Sequence, residues 1–280
     1  MKMRKITVII TALVLLVSFA AAKEKELNEP NTVSAAKIVI GGTGDSQELL
    51  RALAAAFMKT QGGCKIEVPD SVGSSKGIKA VTSGQIDLAR VARPLKEDEK
   101  KLGLTYLLFA KSPIVFAVHP SVEDINNITT EQILGIYSGK ITDWSRLGAK
   151  AGKIYPLTRE ASDSSLSVLN IKLPGFADIN NPTAKVVYTT PANVAALEGH
   201  QNTIGFVPLS AIVGTQLRIL KVNGVYPSVE NIHDGKYDIF VFFGIVYKEK
   251  PKELARKFID FIYSKDGRKI ITATGAVPAR

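Results

Sequence analysis

Two arginines, Arg90 and Arg93, occur close together in the stretch DLARVARP, residues 87–94. The stretch otherwise has the apolar composition of a buried strand, and arginine is seldom buried without an anionic partner. That partner is either a carboxylate of the protein or a bound anion. For each arginine taken alone, the pattern supports an ion pair within the protein at least as well as ligand binding.

Three loops have the same position and composition. Each follows a predicted strand, contains glycine or hydroxyl residues, and precedes a predicted helix. They are GGTGDSQ (41–47), VGSSKG (72–77) and TREASDSS (158–165). A helix N-terminus presents unpaired N–H groups and the positive end of the helix dipole, and Ser or Thr adds hydroxyl donors. Since such loops gather at the carboxyl edge of a parallel α/β sheet, the three loops together with Arg90, Arg93 and Arg159 predict an oxyanion site there.

Catalytic groups have little support in the sequence. His119, His200 and His233 are scattered along the chain and indicate neither a metal site nor a serine–histidine pair. Asp45 and Asp163 are candidates for an acidic pair, but each lies where a helix N-cap is expected, and the pattern favours capping for both. The sequence therefore predicts no enzymatic activity, no cofactor and no metal ion.

The N-terminus has the composition of a secretory signal peptide. Three basic side chains in the first five residues precede an uncharged stretch, 6–22, that ends in small residues. An uncleaved membrane anchor is the alternative, and it is disfavoured because the stretch is short for a span of about 20 residues. We predict a signal peptide at 1–22 with cleavage near Ala22, a flexible leader at 23–36, and a periplasmic location.

The composition limits the classes of partner. The chain has 36 Lys and Arg against 26 Asp and Glu, a formal net charge of +10, and loss of the three basic residues of the signal lowers it to +7. Anions or a membrane surface fit this charge better than nucleic acid, because no dense basic run and no interleaved aromatic residues occur. A basic surface without a specific partner remains an alternative. Cys64 is the only cysteine, so neither an intramolecular disulfide nor a cysteine metal site is expected.

Strand and helix patterns alternate along the chain, which is typical of βαβ units and a mostly parallel sheet. Two long apolar strands, within 112–120 and 237–251, are far apart in sequence, and each is a candidate for crossing between two lobes. If both cross, the first lobe comprises residues 37–113 and 242–280, and the second lobe, 114–241, is inserted between them. The pattern alone leaves a single large sheet equally open.

Several segments resemble the periplasmic phosphate-binding proteins of ABC importers. The segments SGQIDLARVARPL and IYSGKITDWSRL are distinctive, and the likeness extends in order and with similar spacing over nearly all of residues 37–280. The resemblance implies a type II periplasmic binding protein, in which two α/β lobes, each a mixed, mostly parallel sheet flanked by helices, are joined by two hinge strands. Such proteins hold a dehydrated tetrahedral anion between the lobes. The resemblance thus favours two lobes over one sheet.

The resemblance also implies donors in each of the three loops. The first two donor loops of the family align with GGTGDSQ and VGSSKG, its anion-binding arginine aligns with Arg159, and its last donors align with the helix start that follows. With the other residues considered above, the candidate ligand residues are Ser46, Gln47, Ser74, Ser75, Arg90, Arg93, Arg159, Asp163, Ser164 and Ser165.

The chain departs from the family pattern at two acidic positions. The phosphate-binding proteins have an Asp that accepts the proton of hydrogen phosphate where this chain has Ala92, and an Asp beside their arginine where it has Ala161. A carboxylate facing the anion admits an oxyanion that carries a proton and repels one that does not. We hypothesise that Asp163 replaces the missing acceptor and that Arg93 adds positive charge. The alternative is that Asp163 only caps its helix.

These observations predict an exported binding protein that captures an inorganic oxyanion, phosphate first, and delivers it to a membrane ABC permease. A monomer is the default for this fold. The alternatives within the same class are another tetrahedral oxyanion or a small organic anion. A different class is an adaptor that keeps the fold and signals to a membrane sensor, whereas a phosphoester hydrolase lacks a nucleophile–base pair.

Overall fold

A computed structural model of the chain describes residues 36–180 and 184–279. The predicted signal peptide and most of the predicted leader therefore lie outside the described residues. Ala36, assigned to the leader, is instead the first residue of a strand. Within the described ranges, no helix combines the length and the apolar character needed to cross a membrane.

The alternation of strands and helices predicted from the sequence is present. The strands are β1 (Ala36–Gly42), β2 (Cys64–Glu67), β3 (Leu88–Val91), β4 (Thr105–Val118), β5 (Asn127–Ile128), β6 (Tyr155–Arg159), β7 (Lys185–Val187), β8 (Thr203–Pro208), β9 (Arg218–Ile219), β10 (Lys221–Val222), β11 (Phe240–Tyr247) and β12 (Val277–Pro278). The helices are α1 (Gln47–Gln61), α2 (Ser74–Thr82), α3 (Glu97–Lys100), α4 (Thr130–Tyr137), α5 (Ser164–Lys172), α6 (Thr190–Gly199), α7 (Val229–His233), α8 (Glu253–Tyr263) and α9 (Lys265–Ala273).

Capping side chains and apolar faces determine where the helices lie. The sequence TTEQ at 129–132 predicts a cap at Thr129 or Thr130, and in the structure Thr129 caps α4, because its Oγ1 accepts a hydrogen bond from the Gln132 backbone N–H at 3.2 Å. The sequence pattern after β11 predicts one helix, which is wrong: the structure contains two, because Ser264 ends α8 and caps α9. The apolar face of α8 packs on α1, where the rings of Phe57 and Phe258 meet edge to face with centroids 5.5 Å apart.

The main sheet has the order β2-β1-β3-β11-β4-β8-β6-β7, with β9 and β12 also paired to β4. The pairs β1–β2, β1–β3, β6–β7 and β6–β8 are parallel, and the pairs made by β4 and β11 are antiparallel. The strand β4 is shared by two regions of this sheet. It pairs with β11 from Thr105 to Pro113 and with β8 from Ile114 to Val118.

We name these regions the first sheet half (β2, β1, β3, β11 and β4 up to Pro113) and the second sheet half (β4 from Ile114, β8, β6 and β7). The residues just before β11 contact β4 at the point where β4 changes its pairing partner, because the Ile114 N–H donates to the Ile239 carbonyl at 2.9 Å. The loops after β1 and β2 belong to the first sheet half, and the loop after β6 belongs to the second. The two halves are thus connected by β4, which runs through both, and the residues before β11 lie alongside it.

Candidate functional site

A cavity of about 300 Å³ lies where loops from the two sheet halves meet. The three hydroxyl-rich loops predicted from the sequence all contribute to its wall. Its lining residues are Thr43, Gly44, Ser71, Val72, Gly73, Ser74, Ser75, Lys76, Lys79, Arg159, Glu160, Ser162, Asp163, Ser164 and Tyr188. Of the ten candidate ligand residues, the structure places Ser74, Ser75, Arg159, Asp163 and Ser164 in this wall.

The first loop ends at Ser46, the residue that precedes α1. Its side chain makes no capping hydrogen bond, and its Oγ is fully buried without a hydrogen-bond partner among the described residues. A buried hydroxyl without a partner is costly, and it commonly marks a group reserved for a ligand or an ordered water. Ser46 is not itself part of the cavity wall, but the preceding Thr43 and Gly44 are.

The second loop ends at the start of α2. The Ser74 Oγ accepts a hydrogen bond from the Ala92 N–H at 3.1 Å, which leaves its own proton available to the cavity. Gly77 lets α2 approach the end of β1, because a Cβ at this position would lie 2.7 Å from the Gly42 Cα. Ser74 is therefore held at the cavity by close packing of helix on strand.

Arg90 lies in the interior, fully buried, and does not line the cavity. Its Nε donates to the Thr43 carbonyl at 2.6 Å, its Nη1 donates to the Ile40 carbonyl, and its Nη2 donates to the Pro69 carbonyl at 2.7 Å and to the Gln47 Oε1 at 3.1 Å. Burial lowers the pKa of Arg90 to about 10. Four of its five N–H bonds thus hold the end of β1, the first loop with Gln47, and the segment after β2.

Arg93 is paired with the Glu99 carboxylate and is not part of the cavity wall. Its two terminal nitrogens donate to the two Glu99 oxygens, each at 2.7 Å, and Nη2 also donates to the Ser75 Oγ at 3.1 Å. The short α3 brings Glu99 into this position. An ion pair within the protein, one of the alternatives left open by the sequence, therefore describes Arg93 in the structure, and Ser75 is held by it.

Arg159 is the buried arginine that reaches the cavity. It is 5% exposed and is the last residue of β6. Its Nε donates to the Val187 carbonyl at 3.0 Å, its Nη1 donates to the Thr190 Oγ1 at 3.1 Å, and its Nη2 contacts the Asp163 Oδ2 at 2.7 Å. Within the described residues two N–H bonds of the guanidinium remain uncommitted, so Arg159 can still donate to an anion.

Asp163 has two roles in the structure. Its Oδ1 accepts from the Leu166 N–H at 2.9 Å, so it caps α5 as predicted, and its other oxygen pairs with Arg159. Burial and the nearby Asp45 raise the pKa of Asp163 to about 7, and Arg159 acts in the opposite direction. Asp163 therefore fills the place beside the arginine that Ala161 leaves without a carboxylate.

Asp45 does not cap α1, so the N-cap interpretation of this residue is wrong. Ser46 occupies the capping position, and the Asp45 carboxylate accepts hydrogen bonds from the Ser165 Oγ at 3.2 Å and from the Thr190 hydroxyl. The physical reason is that the buried carboxylate finds two hydroxyl donors in the second sheet half, which a local pattern could not indicate. Asp45 and Ser165 are both almost completely buried.

Thr190 is a further residue that the sequence interpretation missed. It is 1% exposed and bridges the Asp45 carboxylate and the Arg159 guanidinium. A signal was present, because TTP at residues 189–191 is a fourth hydroxyl-rich helix start, with Thr189 as the N-cap of α6.

Comparison with known proteins places this geometry in a family. Phosphate-binding protein PstS of Bacillus subtilis is 25% identical, covering 99% of this chain and 94% of the relative. Phosphate-binding protein PstS of Borreliella burgdorferi is 28% identical, covering 85% and 89%. A crystal structure described as a phosphate ABC transporter substrate-binding protein of Clostridium perfringens with bound phosphate is 28% identical with a TM-score of 0.78, covering 87% of this chain and 100% of that chain.

The family match spans most of the chain and agrees with the fold. The model of the PBP superfamily domain matches residues 28–266. The mixed α/β sheet with flanking helices confirms the predicted fold class, and the similar proteins are binding proteins, as the prediction of a non-enzymatic function requires. The chain therefore belongs to the PBP superfamily.

Proposed function

We propose that this chain is an exported substrate-binding protein that captures inorganic phosphate and delivers it to a membrane ABC importer. Two PstS relatives and a similar phosphate-bound structure, each sharing between 25% and 28% of residues with this chain, support phosphate as the ligand. The signal-peptide pattern at 1–22 supports export with cleavage near Ala22. The permease is the partner that this function requires, and the protein acts as a monomer.

The observation that carries the proposal is that an arginine and hydroxyl groups from both sheet halves line the same cavity. Arg159 has uncommitted N–H bonds, and the hydroxyls of Ser74 and Ser164 have no acceptor for their protons within the described residues. An anion that loses its water must regain charge-assisted hydrogen bonds, and this arrangement supplies them from two sides. The Ser46 hydroxyl adds a buried donor at the start of α1.

We assign the other candidate residues to supporting positions. Arg90 and Gln47 hold the first loop, and Arg93 holds Ser75 at the second. Ser165 donates to Asp45, so its role as a ligand requires that this bond be exchanged.

The proposed lobes are residues 37–113 with 242–280, and residues 114–241. Support comes from β4, which changes its pairing partner between Pro113 and Ile114. Rotation of the halves about this strand and the segment before β11 would close the cavity around the anion, as in hinge closure of binding proteins.

The preference for phosphate over sulfate is proposed to depend on Asp163. Ala92 offers no acceptor for the proton of hydrogen phosphate, which is the one observation that favours a second candidate, another tetrahedral oxyanion. Asp163 lines the cavity, and its raised pKa makes it a group that exchanges a proton near neutral pH. In a titration of Asp163→Ala, we expect loss of the phosphate-over-sulfate preference; an unchanged preference would assign Asp163 to the cap and the Arg159 pair alone.

A thermal-shift screen of the phosphate-free mature protein tests the proposed function. Phosphate, arsenate, sulfate, molybdate and small carboxylates are compared, since a ligand that binds only the folded state raises Tm. We expect a large shift with phosphate and arsenate. Shifts with none of the anions would contradict the proposal and favour the adaptor alternative.

A further inference from the structure

A carboxylate of the protein already occupies donors that the proposed anion would use. Asp45 belongs to the first loop, is 2% exposed, and accepts hydrogen bonds from Ser165 and Thr190 of the second sheet half. The loop fits closely against the start of α6, because a Cβ on Gly44 would lie 2.9 Å from the Pro191 Cδ and 3.1 Å from the Thr190 backbone nitrogen. The contact therefore joins the two halves beside the cavity, because Gly44 and Ser164, the chain neighbours of Asp45 and Ser165, line its wall.

The hydroxyl protons at this contact are all committed. A serine or threonine hydroxyl has one proton to donate. Ser165 gives its proton to Asp45 at 3.2 Å, and Thr190 gives its proton to Asp45 while accepting from the Arg159 Nη1. An oxyanion that takes the Ser165 proton must therefore take it from Asp45.

The charges of the site, like its hydrogen bonds, oppose the entry of an anion. Arg159 is the arginine in the cavity wall, and Asp163 already neutralises it at 2.7 Å. The Asp45 carboxylate adds a second buried negative charge within the same network. A dianionic ligand entering this network is repelled by Asp45 until the two groups are separated.

Resting on the phosphate-binding function proposed above, we infer that Asp45 is an internal competitor of the anion. It accepts the Ser165 and Thr190 hydroxyls as a ligand oxygen would, and it joins the two sheet halves through these bonds. Phosphate binds by displacing the Asp45 carboxylate from Ser165, so Asp45 sets the affinity of the site. The first loop thereby links ligand binding to the contact between the halves.

Isothermal titration of phosphate-free protein with inorganic phosphate tests this inference. We expect Asp45→Ala to lower Kd about tenfold, which is about 1.4 kcal/mol, because the Asp45 carboxylate no longer competes with the anion for hydroxyl donors. Glu160→Gln is the matched control, because it removes one negative charge from the cavity wall without a bond across the halves. A Kd for Asp45→Ala that equals or exceeds the wild-type value, or that falls no more than in Glu160→Gln, would overturn the inference.

A second readout does not depend on phosphate. Small-angle scattering of the phosphate-free proteins should give a larger radius of gyration for Asp45→Ala, and a smaller increase for Thr190→Val, than for the wild type, because the first variant removes both hydrogen bonds between the halves and the second removes one of them. Thr190→Val keeps the Asp45 charge and serves as a second variant if Asp45→Ala does not fold. An unchanged radius in both variants contradicts the contact. If the wild type fails to bind phosphate, the proposed function fails, and the scattering comparison still decides the role of Asp45.

Discussion

Arg90 and Arg159 are both buried arginines near the carboxyl end of a strand, yet their surroundings differ in kind. Arg90 donates to three backbone carbonyls and one amide oxygen, and the cavity wall does not include it. Arg159 contacts one carbonyl, one hydroxyl and one carboxylate, and it faces the cavity. Backbone carbonyls hold a cation permanently, whereas hydroxyl and carboxylate side chains can exchange partners. The first arginine is therefore a structural group and the second a binding group.

The largest effect that separates the two arginines is on stability. Arg90→Met leaves three buried carbonyl acceptors without their donor, and each lost bond of this kind costs about 1–3 kcal/mol, so the free energy of unfolding should fall by roughly 3 kcal/mol or more. Urea denaturation measures it. Arg93→Met, at a more exposed pair with Glu99, should cost clearly less. Equal losses in the two variants would show that the carbonyl contacts of Arg90 stabilise the fold no more than the Glu99 pair of Arg93 does.

The next effect is on binding. Arg159→Lys keeps the positive charge but loses the planar fork that donates to Thr190, Asp163 and an anion together, so we expect Kd for phosphate to rise about a hundredfold. The free energy of unfolding should change less than in Arg90→Met. Titration calorimetry and urea denaturation on the same samples give both values. An Arg159→Lys variant that binds like the wild type would return Arg159 to a structural role.

Asp163, the carboxylate partner of Arg159, makes the free energy of unfolding depend on pH, and Arg90 has no such partner. The pKa of Asp163 is raised in the folded protein, to about 7, so the folded state binds more protons than the unfolded state between the ordinary value of 3.8 and that pH. This contribution to stability is complete below about pH 4 and is lost as the pH rises towards 7. Asp163→Asn should flatten this part of the stability–pH curve measured by urea denaturation. A slope equal to that of the wild type would show that another group titrates there.

Many of the features compared above can be predicted from the sequence, and the predictions that fail share one cause. Strand and helix patterns, the caps at Thr129 and Asp163, and the hydroxyl-rich loops are local features, and the structure contains them. The carbonyl shell of Arg90 and the partners of Asp45 are not local. Gln47 and Asp45 meet groups that are 43 and more than 100 residues away. A periodic pattern carries no information about such contacts.

The smallest effect separates two adjacent serines of the second loop. Ser74 Oγ accepts from a backbone N–H and Ser75 Oγ accepts from Arg93, so both retain a proton. Ser74 is buried, whereas Ser75, which also lines the cavity, is half-buried and is held by an arginine that is paired with Glu99. A neutral hydrogen bond contributes about 0.5–1.5 kcal/mol, so Ser74→Ala should raise Kd for phosphate several-fold and Ser75→Ala should leave it nearly unchanged. Parallel calorimetric titrations decide between them. A larger loss of affinity in Ser75→Ala than in Ser74→Ala would place the anion nearer to Arg93, and the binding group of this loop would have to be reassigned to that arginine.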